Sequence, residues 1–312
     1  MSVSFHGFRG EAPLHPWLHP SAPSGPAPWC VGLLPPGLRT LPTGVTLPTT
    51  ILHNSDWLTA ASTLGPRSID LLYADPPFNT GQVQCDRAGS YDDAWPTTRD
   101  YIGWLREGLT ATLPALKPTA CVLLHIDFRV CHHARLLLDE LLGEDRFVNH
   151  LIWHYGLGGS SPRRFARKHD DILFYCVDPE RYYFKAPMVP ATSNRMRGQM
   201  KKSTDVLRVP PATQDELLEV ANINNMAVER VGYPTQKPLA LLELLIGACC
   251  PPGGTVLDPC CGSGTTLVAA AGLGRNAVGF DKSPQAVEVA RARLAQVDAA
   301  RARQAASIPA AE

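Results

Sequence analysis

Apolar positions recur with an alternating rhythm over most of the chain. Residues 56–64 read as a short helix, and Ser68-Ile69-Asp70-Leu71-Leu72-Tyr73-Ala74 is an apolar run that stops at Asp75-Pro76-Pro77-Phe78. This is the pattern of a buried parallel strand followed by an active loop, because prolines cannot continue a ladder and polar groups collect at the strand's C-terminal end. Residues 100–116 carry Tyr101, Trp104, Leu105 and Leu109 at helical spacing. A second buried strand is predicted over 120–126, a helix over 130–142 and a third strand over 148–153. Further along come a strand at 171–177, a strongly apolar helix at 238–248, a strand at 255–258 and an Ala-rich helix at 265–273. A strand at 276–280 ends at Asp281, and a helix closes the chain over 283–305. Helices and strands alternating at these lengths predict an α/β layered fold.

The rhythm breaks in two places. Residues 1–50 hold ten prolines against three charged residues, Arg9, Glu11 and Arg39, so 1–49 reads as an extended or disordered arm. From 156 to 209, eleven Lys or Arg face five Asp or Glu, although the whole chain balances at 29 against 29. That balance excludes a protein that coats nucleic acid through bulk charge, so such a partner would need a local patch. Arg163, Arg164, Arg167 and Lys168 form one basic cluster, and Arg195, Arg197, Lys201 and Lys202 another. A solvated face accounts for any one of them. Two clusters behind Gly156, Gly158 and Gly159 read better as mobile basic loops that grip phosphates. The chain then divides into the arm, a first α/β half at 50–155, a basic region at 156–232, a second α/β half at 233–305 and a flexible tail at 306–312. With 312 residues, 45% of them hydrophobic, it is long enough for one full core with an insertion. Nine cysteines include no C-x-x-C pair, and the adjacent pairs Cys249-Cys250 and Cys260-Cys261 do not suit a zinc knuckle. The expectation is a reduced, cytoplasmic chain with no metal. No apolar run reaches about 18 residues and no basic stretch leads into an apolar core, so neither membrane insertion nor secretion is expected.

Two motifs carry chemistry. Thr255-Val256-Leu257-Asp258, a Gly262-Ser263-Gly264 turn, a helix and a strand ending at Asp281 form the arrangement that holds a nucleoside-bearing cofactor. Glycines let the backbone approach the ligand, and a carboxylate at the next strand tip can take both ribose hydroxyls. The glycine spacing is shorter than the dinucleotide fingerprint and no phosphate-loop lysine follows, so the cofactor need not carry a pyrophosphate. An ordinary tight turn is the bland alternative. In Asp75-Pro76-Pro77-Phe78, rigid prolines let the Asp75 carboxylate and the Pro76 carbonyl converge on one amino group, while Phe78 offers a flat face to a base. Alone, it could be merely a turn.

Together these residues resemble the site-specific DNA methyltransferases that transfer a methyl group from S-adenosylmethionine to exocyclic amino groups, giving N6-methyladenine or N4-methylcytosine. The catalytic tetrapeptide is matched by Asp75, Pro76, Pro77 and Phe78, and the cofactor loop by Leu257 to Thr266. Tyr233-Pro234-Thr235-Gln236-Lys237-Pro238 and Lys168-His169-Asp170-Asp171-Ile172-Leu173-Phe174-Tyr175 resemble two further stretches. The order, with catalytic loop first, basic region second and cofactor loop last, is that of the circularly permuted beta group. The resemblance covers about residues 50–293. It implies a mostly parallel, seven-stranded Rossmann-like sheet with helices on both faces and a basic, loop-rich target recognition insertion. It implies that Asp281 binds the ribose hydroxyls, Asp56 lies near the adenine and Asp258 lies beneath the methionine moiety. Gly262 and Gly264 line that moiety with Cys260 and Thr265 beside them, and Lys237 or Thr235 meets its carboxylate. Cys260 departs from the aromatic residue usual there, which changes the packing expected around the cofactor. The implied reaction flips the target base out of double-stranded DNA and transfers the methyl group directly in line. Asp before Pro-Pro favours adenine N6 over cytosine N4. A homodimer and a cognate restriction endonuclease are the implied partners. Readings from other classes are an RNA or small-molecule methyltransferase, a catalytically silent DNA-binding module, and a metal enzyme built on His132 and His133, whose adjacent side chains would point apart on a helix.

Overall fold

The computed structural model describes residues 48–155, 161–191, 198–207 and 230–306. Residues 1–47 of the expected arm, both Arg195 and Arg197, and the tail beyond 306 lie outside the described residues. In chain order the elements are β1 (Thr50–Asn54), α1 (Trp57–Ala61), β2 (Ile69–Ala74), β3 (Gln82–Asp86), β4 (Gly89–Asp93), α2 (Thr98–Thr112), β5 (Leu116–Ile126) and α3 (Cys131–Leu142). They continue with β6 (Phe147–His154), β7 (His169–Cys176), β8 (Met188–Pro190), β9 (Met200–Lys202), β10 (Val206–Leu207), α4 (Leu239–Cys249), β11 (Thr255–Asp258), α5 (Thr265–Gly272), β12 (Asn276–Asp281) and α6 (Pro284–Ala306).

The central sheet has eight strands in the order β1-β12-β11-β2-β5-β7-β6-β10, with β7 alone running against the rest. This is the mostly parallel, Rossmann-like sheet that the resemblance implies, with one strand more than the expected seven. The added strand β10 pairs its two residues with Ile152 and Trp153. The stretch 156–232 therefore contributes β7 and β10 to the sheet as well as the small β8–β9 ladder.

Side chains alternate across each strand, so β2 serves two cores at once. Leu72 and Ala74 pack with Tyr101, Leu105 and Leu109 of α2 and with Leu137 and Leu138 of α3. Leu71 and Tyr73 pack with Leu241, Leu245 and Ile246 of α4 and with Leu267 of α5. Helix α2 starts where the Thr97 hydroxyl accepts the Asp100 N–H, and it stops before Pro114, short of the expected residue 116. Its Gly108 lets Trp57 dock against the helix backbone, since a Cβ there would sit 2.7 Å from the indole, and Trp57 Nε1 donates to Thr112 Oγ1 at 2.9 Å.

The sheet places chemistry at one edge. Leu72 of β2 is in register with Leu257 of β11, Asp258 with Gly279, and Asn54 with Asp281. Adjacent parallel strands thus end together and deliver Asp56, Asp281, Asp258 and Asp75 to a common C-terminal rim.

Candidate active site

Asp75 leaves β2 directly into a loop held from behind. Asn79 takes a left-handed conformation with φ of 56°, and the buried Asp93 carboxylate accepts the Asn79 N–H and the Thr80 hydroxyl, each at 2.6 Å. Lys237 donates to the Asp75 carboxylate at 2.8 Å, and its ammonium lies 4.9 Å from the centre of the Phe78 ring. Phe78 stacks on His125 with ring centres 5.9 Å apart and planes 28° apart. His125 is fully buried; one ring nitrogen lies 2.8 Å from the Tyr73 hydroxyl and the other 3.2 Å from Asp170. Burial would push the Asp170 carboxyl up, but hydrogen bonds from His125 and Tyr155 and the charge of Lys237 hold it below its ordinary value.

The glycine turn follows β11. Gly262 and Gly264 have φ of 49° and 75°, and a Cβ on Gly264 would lie 2.7 Å from Ala290 Cβ, so this backbone needs glycine both for conformation and for space. Asp281 accepts the Gly262 N–H at 2.9 Å and the Ser283 N–H at 2.8 Å, which braces the turn against β12. Burial nonetheless pushes its carboxyl above the ordinary range. Asp258, 2% exposed, is pushed up to about 7 by burial and by the neighbouring Asp75 and Asp281, although Thr266 and the Cys260 N–H hydrogen-bond to it. Among the described residues no cation forms an ion pair with it.

Asp75, Asp258 and Asp281 line one cleft with about 990 Å³ of empty space counted out to its open mouth. Asp56, Pro77, Thr235, Lys237, Cys260, Gly262 and Thr265 share its wall, whereas Pro76, Phe78 and Gly264 do not. The Asp56 side chain also caps α1 by accepting the Thr59 N–H at 3.0 Å, which holds its carboxyl below the usual range. Thr235 is a β-branched residue at φ of 55°, and its hydroxyl lies 3.0 Å from that of Tyr91. Tyr91 belongs to the β3–β4 hairpin, which lies across residues 230–235: Ala88 donates to the Gly232 carbonyl, Arg230 pairs with Asp86, and Gly89 meets Tyr233. Neither this hairpin nor Tyr91 was foreseen. The missing ring at Cys260 is offset by others, because Tyr91, Trp57, Trp95 and Trp104 line the same cleft.

Of the two basic clusters, the described residues Arg163, Arg164, Arg167, Lys168, Lys201 and Lys202 are absent from the cleft wall. Arg163, Arg164 and Arg167 are exposed, Lys168 is half-buried, and Lys201 and Lys202 lie on β9. The Arg167 guanidinium sits 3.8 Å from the centre of the Phe128 ring, beyond the end of β5. Between Arg164 and Arg167 stands Phe165, 97% exposed, which composition alone did not single out. His132 and His133 are exposed on α3, and their rings, expected to point apart, lie with centres 4.0 Å from one another. His150 lies 2.6 Å from Asp171 and 3.7 Å from Cys131 through a single nitrogen, joining β6, β7 and the start of α3.

Residues 69–292, which include the Asp75 loop, Asp258, the glycine turn and Asp281, match the N6_N4_Mtase family model, described as DNA methylase. The chain belongs to this DNA methylase family. It is 29% identical over 240 residues to the type II methyltransferase M.HpaI of Haemophilus parainfluenzae, covering 77% of this chain and 72% of that one. It is 25% identical over 255 residues to the DNA adenine methyltransferase YhdJ of Escherichia coli K12, covering 78% and 82%. The crystal structure of the M1.HpyAVI–SAM complex shares the fold with a TM-score of 0.52 at 21% identity, covering 79% of this chain and 99% of that chain. As a member of that family, the DNA methylase is an amino-methyltransferase of the N6/N4 type that takes its methyl group from S-adenosylmethionine. Its cleft fits that donor: the buried Asp258, which no cation among the described residues pairs with, stands beside Asp75 and Asp281 and suits a ligand that brings a sulfonium and an ammonium.

Proposed function

We propose that this DNA methylase methylates the N6 amino group of adenine within a specific double-stranded DNA sequence, using a base flipped out of the helix. The observation that carries the reading is the placement of Asp75 and the Gly262–Gly264 turn on the ends of neighbouring strands, over one cleft. S-adenosylmethionine, when bound, supplies a methyl group made electrophilic by its sulfonium. Asp281 would hold the ribose hydroxyls, Asp56 would lie near the adenine ring, and Asp258 would face the methionine part, with Gly262, Gly264, Cys260 and Thr265 around it. Thr235 and Lys237 would meet the cofactor carboxylate.

On the target side, the Asp75 carboxylate and the Pro76 carbonyl accept hydrogen bonds from the amino group, and the base stacks on Phe78. Accepting both amino hydrogens draws the nitrogen lone pair out of conjugation with the ring. Asp75 acts as an orienting acceptor, and positioning supplies the main gain. Lys237, paired with Asp75, holds the carboxylate in place. Arg163, Arg164, Arg167, Lys168, Lys201 and Lys202, with Arg195 and Arg197, would grip phosphates around the flipped base, and the exposed Phe165 offers a ring to the stack beside it.

Adenine is favoured by Asp75 before Pro-Pro and by the likeness to an adenine methyltransferase. Labelled methyl from S-adenosylmethionine should appear in duplex DNA and not in RNA. Digestion to nucleosides followed by mass spectrometry should then show N6-methyladenine, and N4-methylcytosine without it would overturn the base assignment. A homodimer, testable by light scattering, and a restriction partner belong to the same proposal.

A further inference from the structure

We propose that His125 is a positioning residue for the target-base pocket, its ring fixed by a hydrogen-bonded chain of Tyr73, Asp170 and Tyr155 so that Phe78 presents one defined face to the base. This rests on the reading that the base stacks on Phe78. His125 is absent from the cleft wall, and it reaches the base pocket through the ring of Phe78.

The hydrogen-bond inventory closes around it. Asp170, as a carboxylate, can only accept, so His125 Nε2 carries the hydrogen that points at Asp170 Oδ2 at 3.2 Å. In the neutral ring Nδ1 is then an acceptor, and the Tyr73 hydroxyl donates to it at 2.8 Å. The second oxygen of Asp170 accepts the Tyr155 hydroxyl at 3.0 Å. Rings fix the remaining freedom: Trp153 meets the imidazole edge-on at 5.7 Å and 90°, and Tyr73 at 6.1 Å and 83°. Only the Phe78 side is stacked face to face, so the imidazole plane is set by its partners and passed to Phe78.

The two ends of the chain of side chains meet different parts of the enzyme. Tyr73 lines the cofactor cleft. Tyr155 closes β6, and its backbone N–H donates to the Lys168 carbonyl at 2.9 Å, at the end of the first basic cluster. The same few side chains therefore connect the cofactor wall, the base-stacking ring and the root of the basic segment.

The test uses the full chain and a duplex bearing its own methylation site, mapped beforehand by modified-base sequencing. His125→Phe keeps a ring and removes both hydrogen bonds, while Tyr155→Phe removes only the outermost hydroxyl. At saturating DNA and cofactor, His125→Phe should lower the single-turnover rate by about 10- to 100-fold, the scale expected when a reacting group is displaced by about an ångström. Cofactor dissociation constants should stay within about threefold by calorimetry, and the KM for DNA should change less than kcat. His125→Phe that binds cofactor and methylates at the wild-type rate would overturn the proposal. Should that variant fail to fold, Tyr155→Phe decides: a several-fold lower rate with unchanged cofactor and DNA affinity supports the relay, and a wild-type rate refutes it. A wild-type chain that transfers no methyl group to DNA would be a separate failure, of the underlying function, and would take the relay with it.

Discussion

Asp258→Asn should make the free protein more stable and a poorer binder of its cofactor, with a pH dependence that identifies the cause. Burial raises the Asp258 carboxyl from an ordinary value of 3.8 to about 7 in the folded protein. An acid whose folded pKa is raised binds its proton more tightly when folded, so its stabilising contribution is complete below about pH 4 and is lost as pH climbs to about 7. Three pH units correspond to about 4 kcal/mol, an upper figure for a group that keeps hydrogen bonds from Thr266 and the Cys260 N–H. Asparagine can accept the same bonds without titrating. Denaturant unfolding of both proteins from pH 4.5 to 8 should therefore show a stability gap that opens in favour of Asp258→Asn through pH 7 and then stays level. Calorimetry should show the opposite ranking for S-adenosylmethionine, with wild-type affinity rising toward pH 7 as the carboxylate forms to meet a cation. Parallel unfolding curves across that range would refute the burial cost assigned to the Asp258 carboxylate.

Three further outcomes are expected. Asp75→Asn should lower methyl transfer by about 100-fold or more while leaving cofactor affinity within about threefold, checked by product assay and calorimetry, because Asp75 serves the base. Asp281→Ala should weaken cofactor binding by about 1.5–3 kcal/mol, since it removes a charged double acceptor together with the brace on the Gly262 N–H; an unchanged dissociation constant would exclude a ribose contact. Replacing Arg163, Arg164 and Lys168 by alanine should lower affinity for all duplexes and flatten the slope of log K against log salt by about 0.9 per phosphate contact, so wild-type salt dependence would mean that these side chains face away from DNA.

The parts of the fold that could be read beforehand are those buried on both faces. β2, β5, β11 and β12 run apolar and end at acids or prolines, so strand, loop and candidate carboxylate announce one another. The β3–β4 hairpin carried no such signal: Gln82, Val83, Gln84, Cys85 and Asp86 are largely exposed, and an exposed two-stranded ribbon has no buried face to impose alternation. β1 and β10 are short edge strands whose pairing depends on neighbours far along the chain. The same limit applies to the site. Asp75, Asp258 and Asp281 stand at strand ends and are legible there. His125 lies inside an apolar run, and nothing local says that it will meet Phe78. Asp170 and Asp171 are adjacent in sequence, and only the register of β7 sends one toward His125 and the other toward His150.

The antiparallel pairing of β6 with β7 also bears on how new recognition specificities arise. Trp153 faces Asp170, His154 faces His169, and the Tyr155 N–H bond to Lys168 closes the pair before the connecting segment begins. Residues between 155 and 168 thus bridge two points that the sheet already holds together. Lengthening such a bridge adds only a logarithmic entropy term, about 0.6 kcal/mol for each doubling. The first basic cluster can therefore be lengthened, shortened or exchanged for that of a relative without resetting the strand ends, and if this segment recognises DNA as proposed it is a natural graft point for altering the sequence recognised.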